Sequence, residues 1–201
     1  MTDPYRSRIV GLIRPQYRNK IHMGDTKGRA RSAVAFLSWI KPYRSFWVVL
    51  FSVMVLDQFT KIWVARQIPF NTYHDPPPLP IIDGFFYLVH IGNRGSAWGL
   101  MSDYPFILIG IAIFALAFIF YMREQLILPH RVLQYSFGLL CGGIIGNLID
   151  RLAHGYVVDF LDVHLPGYRW PAFNIADSSI CIGIFMYVIF SYKYPTKCEG
   201  L

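Results

Sequence analysis

The chain has 201 residues, 54% of them hydrophobic and only 15% charged, with a net charge of +7. Length alone allows one or two domains, but the apolar residues gather into blocks of membrane-crossing size, which argues against an ordinary soluble fold. Three cysteines without metal or disulfide spacing exclude a cysteine-built scaffold, and the basic excess raises nucleic acid as a partner only until its placement is considered.

Residues 1–43 are polar, basic and broken by Gly and Pro, apart from "AVAFLSWI" (Ala33–Ile40). Eight residues are too few to cross a bilayer, so this run is expected to lie along the inner interface. The first span is predicted over 46–64. It has no small-residue cleavage site after it, so it does not read as a removable signal peptide. "YHDPPPLP" (Tyr73–Pro80) cannot be regular helix, because proline lacks the donor and clashes. From 79 to 99, β-branched and aromatic residues mix with Gly and predict a small β platform. Phe85, Phe86, Tyr87 and Trp98 would suit the lipid headgroup zone.

The second span is predicted over 104–121, the third over 132–149 and the fourth over 172–192. Each approaches the ~20 residues needed to cross ~30 Å of hydrocarbon. Cys141 and Cys181 fall within spans and read as packing residues, and Cys198 lies in the 193–201 tail. Ten Lys and Arg residues precede the first span, Arg123 and Arg131 flank the 122–131 loop, and Lys193 and Lys197 follow the fourth span. The positive-inside rule then puts both termini in the cytoplasm and the 67–103 and 152–171 loops outside. Basic residues so placed read as a topology signal and an anionic-lipid contact, not a nucleic-acid surface. The second outer loop shares the character of the first and is expected to pair with it. The predicted fold class is an all-α membrane protein, four transmembrane helices with a small extracytoplasmic β platform. The core is 44–192, preceded by the 1–43 extension and followed by the short tail.

Carboxylates near hydrocarbon carry the functional reading, since each costs roughly 3 kcal/mol to insert. They are Asp57 in the first span, Asp150 at the end of the third, Asp159 and Asp162 in the outer loop, and Asp177 in the fourth. With proline favoured in the first turn, the fourth helix is expected to begin at about Pro171, which sets Asp177 about 9 Å inward. Asn147 and Asp150 are spaced i,i+3, as are Asn174 and Asp177, so each helix brings an amide and an acid to one face. Two carboxylates meeting there could not both ionise cheaply and would share a proton, acting as general base and general acid on a water molecule. Spacing alone makes Asp150 the partner of Asp177. The same acids could equally serve a proton-coupled carrier or scaffold as a relay, although such sites sit at midplane and these cluster near one surface. Neither G-x-S-x-G nor H-E-x-x-H occurs, and His90, His154 and His164 are scattered, so no metal site and no cofactor are expected. Asp57 and Lys61 form an i,i+4 pair with the acid first, the favourable order. That pair reads as structural, with Lys61 snorkelling outward.

"LDQFTK", "NRGSAWG", "GNLIDRLAHGYVVDFLDV" and "WPAFNIAD", in that order among four spans, closely resemble the lipoprotein signal peptidases (signal peptidase II) over roughly 44–192. The resemblance implies an inner-membrane aspartic endopeptidase that removes the signal peptide from bacterial prolipoproteins, cutting before a diacylglyceryl-modified cysteine. It implies Asp159 and Asp177 as the catalytic pair. It further implies Asn93, Gly95, Asn147, Arg151 and Asn174 as pocket residues, and globomycin-type inhibitors. It displaces Asp150 from the pair into a supporting place, orienting Arg151 or a loop amide. The 1–43 extension lies outside the resemblance.

Overall fold

The computed structural model describes residues 41–72, 78–96, 100–126 and 130–194. Readings made for residues 1–40, for 73–77, for Trp98, for Lys197 and for Cys198 lie outside those residues.

Four long helices make up most of the described chain: α1 (Arg44–Gln67), α2 (Pro105–Tyr121), α3 (Arg131–His154) and α4 (Ile175–Lys193). By length and composition α1, α3 and α4 can each cross a membrane. Helix α2 has 17 residues, all aliphatic, aromatic or small, and rises ~25 Å. Phe106 and Phe114 on α2 are 83% and 72% exposed. Such a surface would aggregate in water, whereas hydrocarbon is its natural surrounding.

Helix α3 is the hub, packing against α1, α2 and α4. Its apolar stretch is 56% buried, against 28% for α1 and 17% for α4, so α3 is the helix enclosed by protein. Lipid supplies little hydrophobic drive between helices, so small side chains and interhelical hydrogen bonds join them. The Ser136 hydroxyl accordingly donates to the Gly183 carbonyl at 2.6 Å. At its other end α3 stops at Gly155, whose φ of 78° is the left-handed conformation that ends helices and that glycine adopts without strain. The chain then turns directly into a strand.

That strand joins an antiparallel sheet of order β1-β2-β3-β4, with β1 Leu79–Ile82, β2 Phe86–Asn93, β3 Val157–Leu165 and β4 Tyr168–Arg169. The two loops expected to pair do so: Asn93 faces Val157, Ile91 faces Asp159 and Phe86 faces Val163. A register shift between Leu88 and Ile91 brings in His90, whose N–H donates to the Thr72 hydroxyl at 2.7 Å and whose ring Nδ1 meets the Ile68 carbonyl at 2.9 Å. Those bonds tie the platform to the end of α1. On β3, Val157 to Phe160 are all buried, in the unbroken pattern of a strand covered on both faces. Phe160 packs with Val64 of α1 and with Ile68, the residue that caps its end.

The fourth helix starts later than the proline suggested. Pro171–Phe173 stays extended, and Phe173 exchanges hydrogen bonds with Leu161 at 2.8 and 3.0 Å. The helix begins at Ile175 with Asn174 as its N-cap. Asparagine outranks proline as an initiator here because its side chain satisfies an orphan N–H, and the strand-like bonding of Phe173 consumes the preceding residues. Asp177 is therefore on the first turn, ~4–5 Å from the start of the helix and not the ~9 Å expected.

Candidate active site

Asn174 and Asp177 close a capping box. The Asn174 side-chain oxygen accepts from the Asp177 N–H at 2.9 Å, and Asp177 Oδ2 accepts from the Asn174 N–H at 3.2 Å. This single motif fixes the backbone and rotamer of Asp177 together. It also holds the carboxylate at the positive end of the α4 dipole.

The Asn174 amide has only one possible orientation. Its oxygen faces a backbone N–H, which can only donate, and its nitrogen faces the Val158 carbonyl at 3.3 Å, which can only accept. The NH₂ group therefore points at Asp159 Oδ1, 2.8 Å away, and at Asn147 Oδ1, 3.2 Å away. Asn93 is pinned in the same way: its oxygen accepts from the Gly95 N–H at 2.9 Å, and its nitrogen donates to Asp159 Oδ2 at 2.9 Å. Asp159 and Asp177 thus converge from different segments, and Asn174 is bonded to both.

Asp159 is 2% exposed. Burial, and after it the neighbouring charge of Asp177, push its carboxyl up to about 7, against the pull of the Asn93 and Asn174 donors and of Lys61. An acid so placed is only partly ionised at neutral pH and can hold or release a proton there.

Both acids line a cleft of about 580 Å³. Asn93, Gly95, Asn147 and Arg151 line the same polar end, while Leu108, Ala112, Ala115, Ile144 and Ile180 make an apolar wall from α2, α3 and α4. Helix α2 leans on α3 and hardly meets α4. Arg151 donates from Nη2 to the Gly95 carbonyl at 2.8 Å, and its buried Nε has no partner among the described residues. Asn174 stands behind the two acids and does not line the cleft.

The remaining acids are arranged differently. Lys61 Nζ lies 2.8 Å from Asp57 and 2.9 Å from Asp150, with all three side chains at most 3% exposed. The lysine therefore points into the protein. The outward snorkelling expected from the i,i+4 pair does not occur, because two carboxylates compensate its desolvation better than the headgroup region would. Asp57 also accepts from the Ala176 N–H at 2.9 Å, capping α4 from another helix, and Asp150 accepts from the Val158 N–H at 3.1 Å. A Cβ on Gly146 would stand 2.5 Å from Asp57 Oδ2, so only glycine leaves room for this acid. Asn147 and Asp150 share a face, as their spacing predicts, and both meet Lys61, but only the amide reaches Asp177, at 2.7 Å, and lines the cleft. Asp162, close along β3, is occupied by Arg169 and by His164 at 3.0 Å.

Sequence reasoning missed Gln58, which donates to Asp150 at 3.0 Å, to the Gly146 carbonyl at 3.2 Å and to Asp57 at 3.3 Å. Its place between two charged residues of "LDQFTK", on a helix facing lipid, was the available signal. The small residues Ala112 and Ala115, one turn apart on α2, carried no signal by themselves.

The fold and cleft define a helical membrane protein with two convergent acids at one end of an apolar pocket. The family model described as signal peptidase (SPase) II matches residues 49–193. The chain is 42% identical over 162 residues to the lipoprotein signal peptidase of Oleidesulfovibrio alaskensis, covering 75% of this chain and 97% of that one. It is 39% identical over 149 residues to that of a Janthinobacterium, covering 71% and 85%. Two bacterial membrane enzyme structures solved in meso, at 2.3 and 1.9 Å, superpose with TM-scores of 0.67 and 0.64. Both are 32% identical, covering 77% and 74% of this chain and 92% of the chain in each structure. This chain belongs to the signal peptidase II family. It is a multi-pass bacterial membrane protein and a peptidase by kinship, which leaves the carrier reading without support.

Proposed function

We propose that the chain removes signal peptides from bacterial prolipoproteins by aspartic chemistry, with Asp159 and Asp177 as the catalytic pair. The observation that carries this reading is the meeting of both acids on one cleft, with Asn174 hydrogen-bonded to each. Asp177 accepts at both oxygens, from Asn147 and from its own helix cap, and is the base. Asp159 holds the shared proton. Water between them loses a proton to Asp177 as it attacks the scissile carbonyl, and Asp159 passes its proton to the leaving amine. No covalent link to the enzyme forms.

The cleft is lined mainly by apolar side chains, which suits a signal helix entering sideways past α2. The polar end would hold the cleavage point, just before a cysteine carrying diacylglycerol whose chains remain in the bilayer. Arg151 would turn its spare donor to a substrate carbonyl or lipid oxygen. Globomycin-type inhibitors would occupy the same cleft. In this reading α2 is the fourth crossing, both termini are cytoplasmic, and the sheet and acids lie at the outer surface. Asp57, Lys61 and Asp150 support the acids and do not touch substrate.

Purified protein in detergent, with no gradient, is expected to cut a diacylglyceryl-modified precursor, to stop with globomycin, and to be inactive as Asp159→Asn or Asp177→Asn. Full cleavage by either variant would refute the assignment.

A further inference from the structure

Lys61 has more to do than neutralise acids. An ammonium has three hydrogens and no lone pair, so every neighbour must accept from it. Two of those hydrogens go to Asp57 and Asp150, and the third goes to Asn147 Oδ1 at 2.9 Å. That third acceptor is a neutral amide lining the cleft, and it contributes nothing to charge balance.

The consequence for Asn147 is directional. Left alone, an amide can rotate by half a turn and exchange its oxygen for its nitrogen. With Lys61 on one side, the oxygen has to face inward and the NH₂ has to face Asp177 Oδ1, 2.7 Å away. The Asn174 NH₂ supports the same orientation, but at the longer 3.2 Å. If Asn147 turned over, it would present an oxygen to the acid and favour the protonated form, which cannot take a proton from water. The charge that prevents this reaches the site from α1, a helix that does not line the cleft.

We infer that Lys61 is a positioning residue for the reaction: through Asn147 it holds Asp177 in the proton-accepting state. This inference rests on the catalytic pair proposed above. Asp57 and Asp150 hold the ammonium in place, and Gly146 makes room for Asp57.

The test is a kinetic double-mutant cycle between Lys61 and Asn147. Lys61→Gln leaves two buried acids without their cation, so it is made alone and with Asp57→Asn, which returns the cluster to the parent's net charge and keeps an acceptor for the Ala176 N–H. The balanced variant is expected to melt near the parent and to bind precursor with a KM within about threefold, while kcat falls roughly 30- to 100-fold. In an Asn147→Ala background the same Lys61 change should lower kcat by no more than about threefold, since residues acting through one another are not additive. An unchanged kcat in the balanced variant overturns the inference. So does an undiminished loss in the Asn147→Ala background. If neither Lys61 variant is recovered folded, Lys61 is a folding residue and the inference is withdrawn. Cleavage surviving Asp177→Asn would instead remove the catalytic pair itself, so the two failures are distinguishable.

Discussion

The molecule contains two pairs of acids close to one another, and they are held by opposite means. Asp57 and Asp150 share a lysine, and each also accepts a backbone N–H from a neighbouring element. Asp159 and Asp177 are held by the amides of Asn93, Asn147 and Asn174, which carry no charge. A cation shared by two carboxylates compensates their charge and ties the segments that carry them together. Amides orient a carboxylate but leave its proton negotiable, and burial then lifts Asp159 to about 7. The difference teaches that the identity of the bridging group, and not proximity to the bilayer, separates an acid that ties helices together from one held by neutral amides on an open cleft.

The sharpest way to break that contrast is to neutralise one acid of each pair. Asp159→Asn should lose cleavage by about a thousandfold or more, within the range expected for a general acid. Asp150→Asn keeps an acceptor for the Val158 N–H and leaves Lys61 one acid, so turnover should stay within about tenfold of the parent. Complete loss in the second variant with activity in the first would reverse the roles. The next largest effect concerns stability. Lys61→Met strands two buried acids and should cost about 3–5 kcal/mol, read by melting in detergent. A variant melting with the parent would mean that the lysine is dispensable to the fold. Gly146→Ala pushes a methyl against Asp57 and should cost about 1–3 kcal/mol, seen as a lower melting temperature. An unchanged melt there would show that the Asp57 carboxylate can move aside without losing its partners.

The smallest effect is in pH dependence. Asp159 must carry its proton to serve as the acid, so kcat/KM should fall as pH rises through about 7. Asn93→Leu removes a donor that favours the ionised form, so this basic limb should move to higher pH. A limb that stays in place would detach it from Asp159.

Much of this was legible in the residues themselves. The uniform apolarity of "YPFILIGIAIFALAFIFY" predicts a helix, and the chain forms one over Pro105–Tyr121 with most of its side chains turned away from the protein. Four short motifs pointed to the family and, through it, to Asp159. Helix spacing, used alone, chose Asp150 instead. Periodicity says which residues share a face and nothing about what that face meets. Here Lys61 drew Asp150 inward, while a strand bonded to Phe173 brought Asp159 over the start of α4. The start of α4 was misjudged for a related reason: Pro171 is a local preference, and strand pairing before an asparagine cap overrode it.

By itself, then, the order of residues determined where apolar blocks lie, which loops turn to strand, and which polar groups are too costly near lipid to be incidental. Those are properties of short stretches, governed by transfer free energy and local backbone preference. Tertiary structure alone decided which acid meets a lysine and which meets an amide, because that depends on contacts between distant segments, such as the one joining Asp57 to Ala176 across 119 positions. Hydrogen-bond direction was settled there too: an amide takes its orientation from the fixed donors and acceptors around it, and those are in place only once the helices have packed.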